Sequence, residues 1–232
     1  EMTSSLVGSE MCIRDRPFCL LHPERFDGHS PHKPFKLRGI RISFYGYYYP
    51  SRYNALLNDE QKAFCHSIYQ FKQGDIHGIE FFKTCMNALQ LKKRPYHIMF
   101  MPCSNWIKYG QRFKRLDWYI GKHRQDLTSG LYDVDICDAR ESLHEAKGGE
   151  KRILERNYLI TGKIKGKEII IIDDVLTTGQ SVVDYKEEIE RCGGKVVAAI
   201  FYGKTLSMPS MLLVQIHVWG NHIAHIIERM TK

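Results

Sequence analysis

Paired cysteines are the first thing this sequence lacks. Its seven cysteines stand at 12, 19, 65, 85, 103, 137 and 192, and none forms a C-x-x-C pair. An odd, scattered set excludes a disulfide framework and reads as the reduced thiols of a cytoplasmic protein. No apolar run approaches the length that crosses a bilayer, so no membrane insertion is expected. Internal repeats and low-complexity tracts are missing too, which argues against a solenoid or an array. The first sixteen residues have neither the charged and apolar regions of a signal peptide nor a helical period. That opening, with Ser4 to Arg16 reading Ser-Ser-Leu-Val-Gly-Ser-Glu-Met-Cys-Ile-Arg-Asp-Arg, resembles translated sequencing-adapter read-through. Residues 1–16 are therefore set aside as non-native, and the true N-terminus stays open.

What is present suits one α/β domain with an appended segment. The 232 residues are enough to bury a core without staples, and 43% hydrophobic with 26% charged is the composition of an ordinary soluble globule. The formal charge of +8 favours polyanionic ligands: nucleotide phosphates, pyrophosphate or nucleic acid. Leaving out residues 1–16 removes two basic and three acidic residues and moves the charge to +9, so the argument stands.

The N-terminal part, residues 17–92, reads as an α+β segment. Pro17 to Arg38 is a Pro/His-rich lead-in holding Cys19-x2-His22 and His29-x2-His32, a spacing that zinc ligands use and that such linkers also produce by chance. Gly39 to Tyr49 alternates aromatic and aliphatic residues, predicting a strand or hairpin broken at Pro50. Its interleaved Arg and Tyr suit base stacking or a packed sheet face, with packing preferred. A helix is predicted over Asn54 to Phe71, and a second from the spacing of Ile79, Phe82, Met86 and Leu89.

Residues 93–232 form the main domain. His97 to Met101 is a short strand ended by Pro102, with Cys103-Ser104-Asn105 as its exit loop. Tyr109, Phe113, Leu116 and Ile120 mark a helix ended by Gly121, with Lys108, Arg112, Lys114 and Arg115 on its wet side. Leu131 to Cys137 is the next strand. Arg140 to Asn157 is a charged connection with Gly148-Gly149 at its middle, either a lid or a plain solvated loop. Val182, Tyr185, Ile189 and Cys192 predict a helix capped by Gly193-Gly194, and Val196 to Tyr202 a buried strand. Met211 to Val218 and Ile223 to Met230 suggest a last strand and a short helix.

Between these lies Glu168 to Ser181, Glu-Ile-Ile-Ile-Ile-Asp-Asp-Val-Leu-Thr-Thr-Gly-Gln-Ser, around which the chain is organised. Ile169 to Ile172 predict a strand buried on both faces, with Asp173 and Asp174 at its end. A Thr-Thr-Gly turn and a helix start follow. In open α/β sheets ligands bind at the carboxyl ends of strands. Two carboxylates there grip vicinal hydroxyls, and a loop of N–H groups and hydroxyls grips a phosphate. A ribose phosphate satisfies both at once.

These fourteen residues resemble the signature for 5-phosphoribosyl-1-pyrophosphate (PRPP) in type I phosphoribosyltransferases, with Gln180 where a small residue is common and Ser181 in place of Thr. The resemblance implies an α/β fold of the type I phosphoribosyltransferase-like (Rossmann-like) kind, a parallel sheet flanked by helices. It assigns Asp173 and Asp174 to the ribose hydroxyls, and Val175, Leu176, Thr177, Thr178, Gly179, Gln180 and Ser181 to the loop around the 5′-phosphate. From about Ile68 to Lys204 the chain is also similar to the competence-protein ComF family. Ile68-Tyr-Gln-Phe-Lys-Gln-Gly74, Met101-Pro102 before Phe113, and Arg140 with Arg156-Asn157 carry that likeness, although Arg112 and Lys114 stand where the family has Gly and Asn.

Transfer of a phosphoribosyl group with release of pyrophosphate is the activity so implied. Lys72, Arg140, Arg156 and the Cys103, Ser104 and Asn105 backbone are the candidates for the pyrophosphate, with Mg²⁺ held by Asp173 and Asp174 through water. The ComF zinc ribbon of four cysteines is not here, and Cys19, His22, His29 and His32 are at most its remnant. The rival reading is a non-catalytic module that binds PRPP or a nucleotide and single-stranded DNA during DNA uptake, and an oligomer is compatible with either. A phosphoacceptor receiver domain is set aside, because Met101-Pro102 offers no acid at the earlier strand end.

Overall fold

A computed structural model describes residues 23–76, 78–136, 157–206, 227, 229 and 230. The chain divides into two compact units, residues 31–48 with 63–205, and residues 1–30 with 49–62 and 206–232. Strands β1 (Phe35–Leu37), β2 (Ile40–Tyr48), β3 (Tyr96–Phe100), β4 (Leu127–Ser129), β7 (Glu168–Leu176) and β8 (Lys195–Thr205) form one sheet in the order β1-β2-β8-β7-β3-β4. Every pairing is parallel except β1 with β2. A separate antiparallel pair joins β5 (Val134–Ile136) to β6 (Tyr158–Ile160).

The sheet is central because its middle strands are apolar throughout. Ile169 to Ile172 of β7 are fully buried, as are Ile98, Met99 and Phe100 of β3 and Ala198, Ala199 and Ile200 of β8. Burial on both faces suits an unbroken β-branched run. The connections run outward from the centre in both directions. From β3 the chain passes through helix α3 (Trp106–His123) to β4 on one side. From β7 it passes through helix α4 (Gln180–Arg191) to β8 on the other. The reversal therefore falls between β3 and β7, where an open parallel sheet forms its crevice.

Helices α1 (Asp59–Gln73) and α2 (Ile79–Leu89) connect β2 to β3. Phe71 of α1 meets Phe81 of α2, Phe113 of α3 and Tyr202 of β8 at ring-centroid distances of 5.3, 6.0 and 5.5 Å, an aromatic core beside the sheet. Two glycines paired across strands, Gly46 on β2 and Gly203 on β8, let α1 come close. A Cβ on Gly46 would meet the Phe64 ring at 2.5 Å, and one on Gly203 would meet Ile68 Cδ1 at 2.6 Å.

Several expectations shift. The predicted helix over Asn54 to Phe71 is a 3-10 turn, Ser51–Leu56, followed by α1 from Asp59. Asn58 separates them: its Oδ1 accepts from Gln61 N–H at 2.8 Å while Gln61 Oε1 accepts from Asn58 N–H at 3.1 Å, a reciprocal capping box. Of the strand expected over Leu131 to Cys137, Val134–Ile136 is strand, residues 131–133 turn, and Cys137 lies outside the described residues. The expected place in the main sheet is taken by the short edge strand β4, and Val134–Ile136 leaves the sheet to pair with β6. Strand β7 runs on to Leu176, so the two acids lie within it rather than at its end. Helix α3 continues past Gly121 to His123. The aromatic stripe of β2 is packed: Tyr45 lies 6.1 Å from the Phe64 ring and 5.8 Å from the Tyr202 ring.

Residues 1–16, Cys19, His22, the connection from Arg140 to Arg156, and the expected strand Met211 to Val218 lie outside the described residues. The expected terminal helix is described only at Ile227, Arg229 and Met230. Among the described residues no helix is long and apolar enough to cross a membrane, and Cys85, Cys103 and Cys192 are free thiols.

Candidate functional site

Asp173 and Asp174 reach the crevice because the β3–β7 ladder ends beside them. Phe100 pairs with Ile172, and Met101 N–H still donates to Ile172 C=O at 2.9 Å. The exit loop of β3 therefore opens alongside Asp173. The two acids are tied through the backbone, Asp174 N–H donating to Asp173 Oδ1 at 2.7 Å.

Two cations from different helices face them. Phe113 of α3 stacks on Phe100 of β3 at 4.8 Å, which sets the preceding residue over the end of the ladder. Arg112 Nη1 lies 2.6 Å from Asp174 Oδ2 and 3.9 Å from Asp173 Oδ1. The Arg112 side chain is only 15% exposed, and its Nε is buried without a hydrogen-bond partner among the described residues. Lys72, in the last turn of α1, places Nζ 3.7 Å from the same Asp174 oxygen. Burial first, and the charge of Asp174 second, push the Asp173 carboxyl up to about 8, while the Asp174 N–H, Arg112 and Lys72 pull it down.

Behind the acids Thr177 and Thr178 are exposed, and Gly179 turns the chain into α4 with φ +79°. A Cβ there would run into the Leu37 side chain of β1. Thr178 Oγ1 accepts from Gln180 N–H at 3.4 Å, and Ser181 is exposed in the first turn of α4. Exposed hydroxyls of Thr177, Thr178 and Ser181 thus stand beside the N-terminal turn of a helix, the kind of place an oxyanion binds. Gln180 spans two partners: its Oε1 accepts from Arg38 Nη1 at 2.6 Å and its Nε2 donates to Asp184 Oδ1 at 2.7 Å. Val175 is half-buried and Leu176 buried, so these two anchor the loop from below.

In the exit loop, Cys103 C=O accepts from Asn157 Nδ2 at 2.8 Å. Burial, the largest effect, pushes the Cys103 thiol up to about 11, with Arg112, Asp173 and Asp174 within electrostatic reach. Asn105 caps α3 by accepting from Lys108 N–H at 2.9 Å, and Ser104 is exposed. Of the remaining sequence candidates, Arg140 and Arg156 lie outside the described residues. So do Cys19 and His22; His32 packs on Tyr45 at 5.3 Å. No group of three or more His, Cys, Asp or Glu is placed for a metal among the described residues. The paired carboxylates are hard oxygen donors of the kind Mg²⁺ takes, but with Arg112 and Lys72 on Asp174 they fit a hydrated ion, held through water.

Arg112 is the correction of most consequence, since sequence reasoning put it on the wet side of α3. A signal for it existed. It directly precedes the core residue Phe113 and borders the Tyr109–Phe113–Leu116 stripe, where a long side chain lies along the packed face. Arg38 was missed too, and no periodicity marks it.

Residues 125–205 match the phosphoribosyl transferase domain. That stretch holds β4 to β8, with the acid pair and the loop behind it. Over 57 residues the chain is 42% identical to an orotate phosphoribosyltransferase of Sulfolobus acidocaldarius, covering 24% of this chain and 26% of that protein. The chain thus spans about a quarter of the length of the curated relative it matches. A solved hypoxanthine phosphoribosyltransferase from Staphylococcus aureus aligns over 62% of this chain and 76% of its own, at 15% identity and a TM-score of 0.30.

Proposed function

We propose that the chain binds PRPP and transfers its phosphoribosyl group to a nucleobase or amine, with release of pyrophosphate. The observation that carries this is the pairing of Asp173 and Asp174 with the Thr177–Ser181 turn at the switch point of a parallel sheet. The acids would hold the 2′- and 3′-hydroxyls and face the positive charge that develops at the anomeric carbon as its bond to pyrophosphate oxygen breaks. The turn would hold the 5′-phosphate at the start of α4. Lys72 stands at the acid pair, where it would meet the departing pyrophosphate, with the Cys103–Asn105 loop next to it. Arg140 and Arg156 remain proposed as further cations on that leaving group. Mg²⁺, held through water by the acids, would supply charge neutralisation for the pyrophosphate.

The likeness of Ile68 to Lys204 to the ComF family belongs to this reading as a finer proposal, and the placement of Lys72 from its Ile68–Gly74 segment supports it. Incubation with PRPP and single acceptors, orotate first because of the named relative, should release pyrophosphate. Asp173→Asn and Asp174→Asn should each lower turnover about 10²–10³-fold, as removal of one preorganised electrostatic contact does. Near-normal rates in both variants would sink the assignment.

A second reading is favoured by a separate surface. A cavity of about 430 Å³ beside α3 is lined by Trp106, Gln111, Lys114, Arg115, Leu131 and Tyr132 among others. The Trp106 and Tyr132 rings lie 6.2 Å apart, and Tyr132 is 67% exposed. Aromatic faces among cations suit single-stranded nucleic acid. Under this reading the chain is a binding module using the same sugar site without turnover. Oligonucleotide affinity that drops steeply with salt and is lost in Trp106→Ala, without pyrophosphate release over any nucleobase, would select it.

A further inference from the structure

We propose that Arg112 is a gate on the sugar site: it covers the two carboxylates until a ligand's hydroxyls displace it, and then turns to that ligand's anomeric phosphates. This rests on the phosphoribosyl reading above and deepens it. Four observations lead there. First, the guanidinium occupies the carboxylate oxygens that a vicinal diol would need, 2.6 Å from one acid and 3.9 Å from the other. A sugar hydroxyl reaching Asp174 Oδ2 would have to compete there with the guanidinium.

Second, the ion pair is not needed to hold α3 in place. Tyr109, Phe113, Leu116 and Ile120 already bury that helix completely along one face. A buried pair of this kind adds little net stability, because desolvation offsets attraction. Third, among the described residues Arg112 is only partly paired where it stands. Its Nε–H is buried with no acceptor among the described residues. A buried donor left unpaired raises the energy of this arrangement relative to one in which the whole fork is engaged. Fourth, the place it would turn to is adjacent. The exit loop of β3 opens at the end of the ladder beside Asp173, which Arg112 Nη1 approaches to 3.9 Å, and the Cys103 thiol lies within electrostatic reach of the guanidinium. Anionic oxygens arriving at that loop would meet a fork built for bidentate phosphate binding.

Lys72 makes the exchange workable. It stays 3.7 Å from Asp174 and is 38% exposed, so the carboxylate keeps a cation when Arg112 leaves. Without ligand, two cations keep the acid pair from repelling an incoming polyanion. With ligand bound, the diol takes over the acids and the freed guanidinium adds to the grip on the far phosphates.

The gate predicts opposite changes for two ligands, which a purely structural arginine would not give. Ribose 5-phosphate has the diol and the 5′-phosphate but no phosphate at the anomeric carbon. Titration calorimetry should show Arg112→Gln binding it about five- to tenfold more tightly than the unmodified chain, since less of the site is held closed. The same variant should bind PRPP about tenfold more weakly or worse, having lost a bidentate contact. A 2,3-dideoxy analogue of ribose 5-phosphate should show no gain. Should Arg112→Gln fail to fold, Arg112→Lys serves: it keeps the charge without the fork, and should show the gain for ribose 5-phosphate with a smaller loss for PRPP. Both ligands moving in one direction, or neither moving, overturns the gate. A chain that binds both ligands without this split loses only the gate, whereas an unmodified chain that binds neither loses the phosphoribosyl reading itself.

Discussion

His97 sits inside the sheet with both ring nitrogens engaged, Nδ1 at 2.7 Å from Thr128 Oγ1 and Nε2 at 2.6 Å from Asp133 Oδ2. Burial first, then the charge of Lys167, lowers its pKa below the ordinary 6.5, and Asp133 opposes them. Below about pH 6.5 the unfolded chain takes up a proton that the folded chain declines, so stability falls as pH drops through that value toward the folded pKa. Urea midpoints measured at pH 7.5 and 5.5 should show a loss in the unmodified chain that is smaller in His97→Gln; equal losses would remove His97 as the cause. A second residue-scale expectation concerns Gly179. Its φ of +79° costs an L-residue about 1–2 kcal/mol, and Leu37 fills the space a side chain would take. Gly179→Ala should lower stability by at least that amount and weaken ribose 5-phosphate binding. Adding Leu37→Ala should recover part of the stability loss, a coupling that a double-mutant cycle reads directly.

Among the elements, α1 and α4 show how ends are set by side chains and turns rather than by periodicity. The Asn58–Gln61 box at the start of α1 satisfies two backbone donors or side-chain acceptors at once. Asn58→Ala should therefore cost about 1 kcal/mol in chemical denaturation, while Asn58→Asp should cost little. At the end of α4, Gly194 N–H donates to Ile189 C=O and Gly193 N–H to Glu190 C=O, each at 3.0 Å, a Schellman pair that turns the chain directly into β8. Helix α1 matters for the site because it approaches the sheet over Gly46 and Gly203. Gly203→Val should push it outward by the width of the Ile68 contact and carry Lys72 off Asp174. PRPP affinity should fall in that variant more than in Lys72→Ala, where only the charge is lost; a smaller fall would mean that α1 does not position the site.

For the whole molecule, the sheet order makes a graded expectation. β7 and β8 each have a strand on both sides, whereas β1 and β4 are three-residue edges. Amide exchange should be slowest across Ile169 to Ile172 and Ala198 to Phe201, and fast in β4. Comparable protection in β4 and β7 would contradict this sheet order. Much of the arrangement was legible in the sequence, and for identifiable reasons. Ile169 to Ile172, four β-branched residues bounded by charge, read as a strand buried on both faces, and a βαβ unit around it implies parallel pairing. The acids and the Thr-Thr-Gly turn are contiguous, so local chemistry alone brings them together. Lys72 and Arg112 are 102 and 62 residues from Asp174, and neither periodicity nor composition records which cation meets it. The edge strand β4 was missed because three residues with one buried apolar position leave no pattern to read.

Contiguous residues therefore determined the strand, the acid pair and the turn, because their backbone geometry follows from side chains only a few positions away. Tertiary packing alone decided that Phe113 would stack on Phe100 and that α1 would settle on two glycines. Those contacts join segments distant along the chain, and through them two cations from separate helices came to rest on one carboxylate.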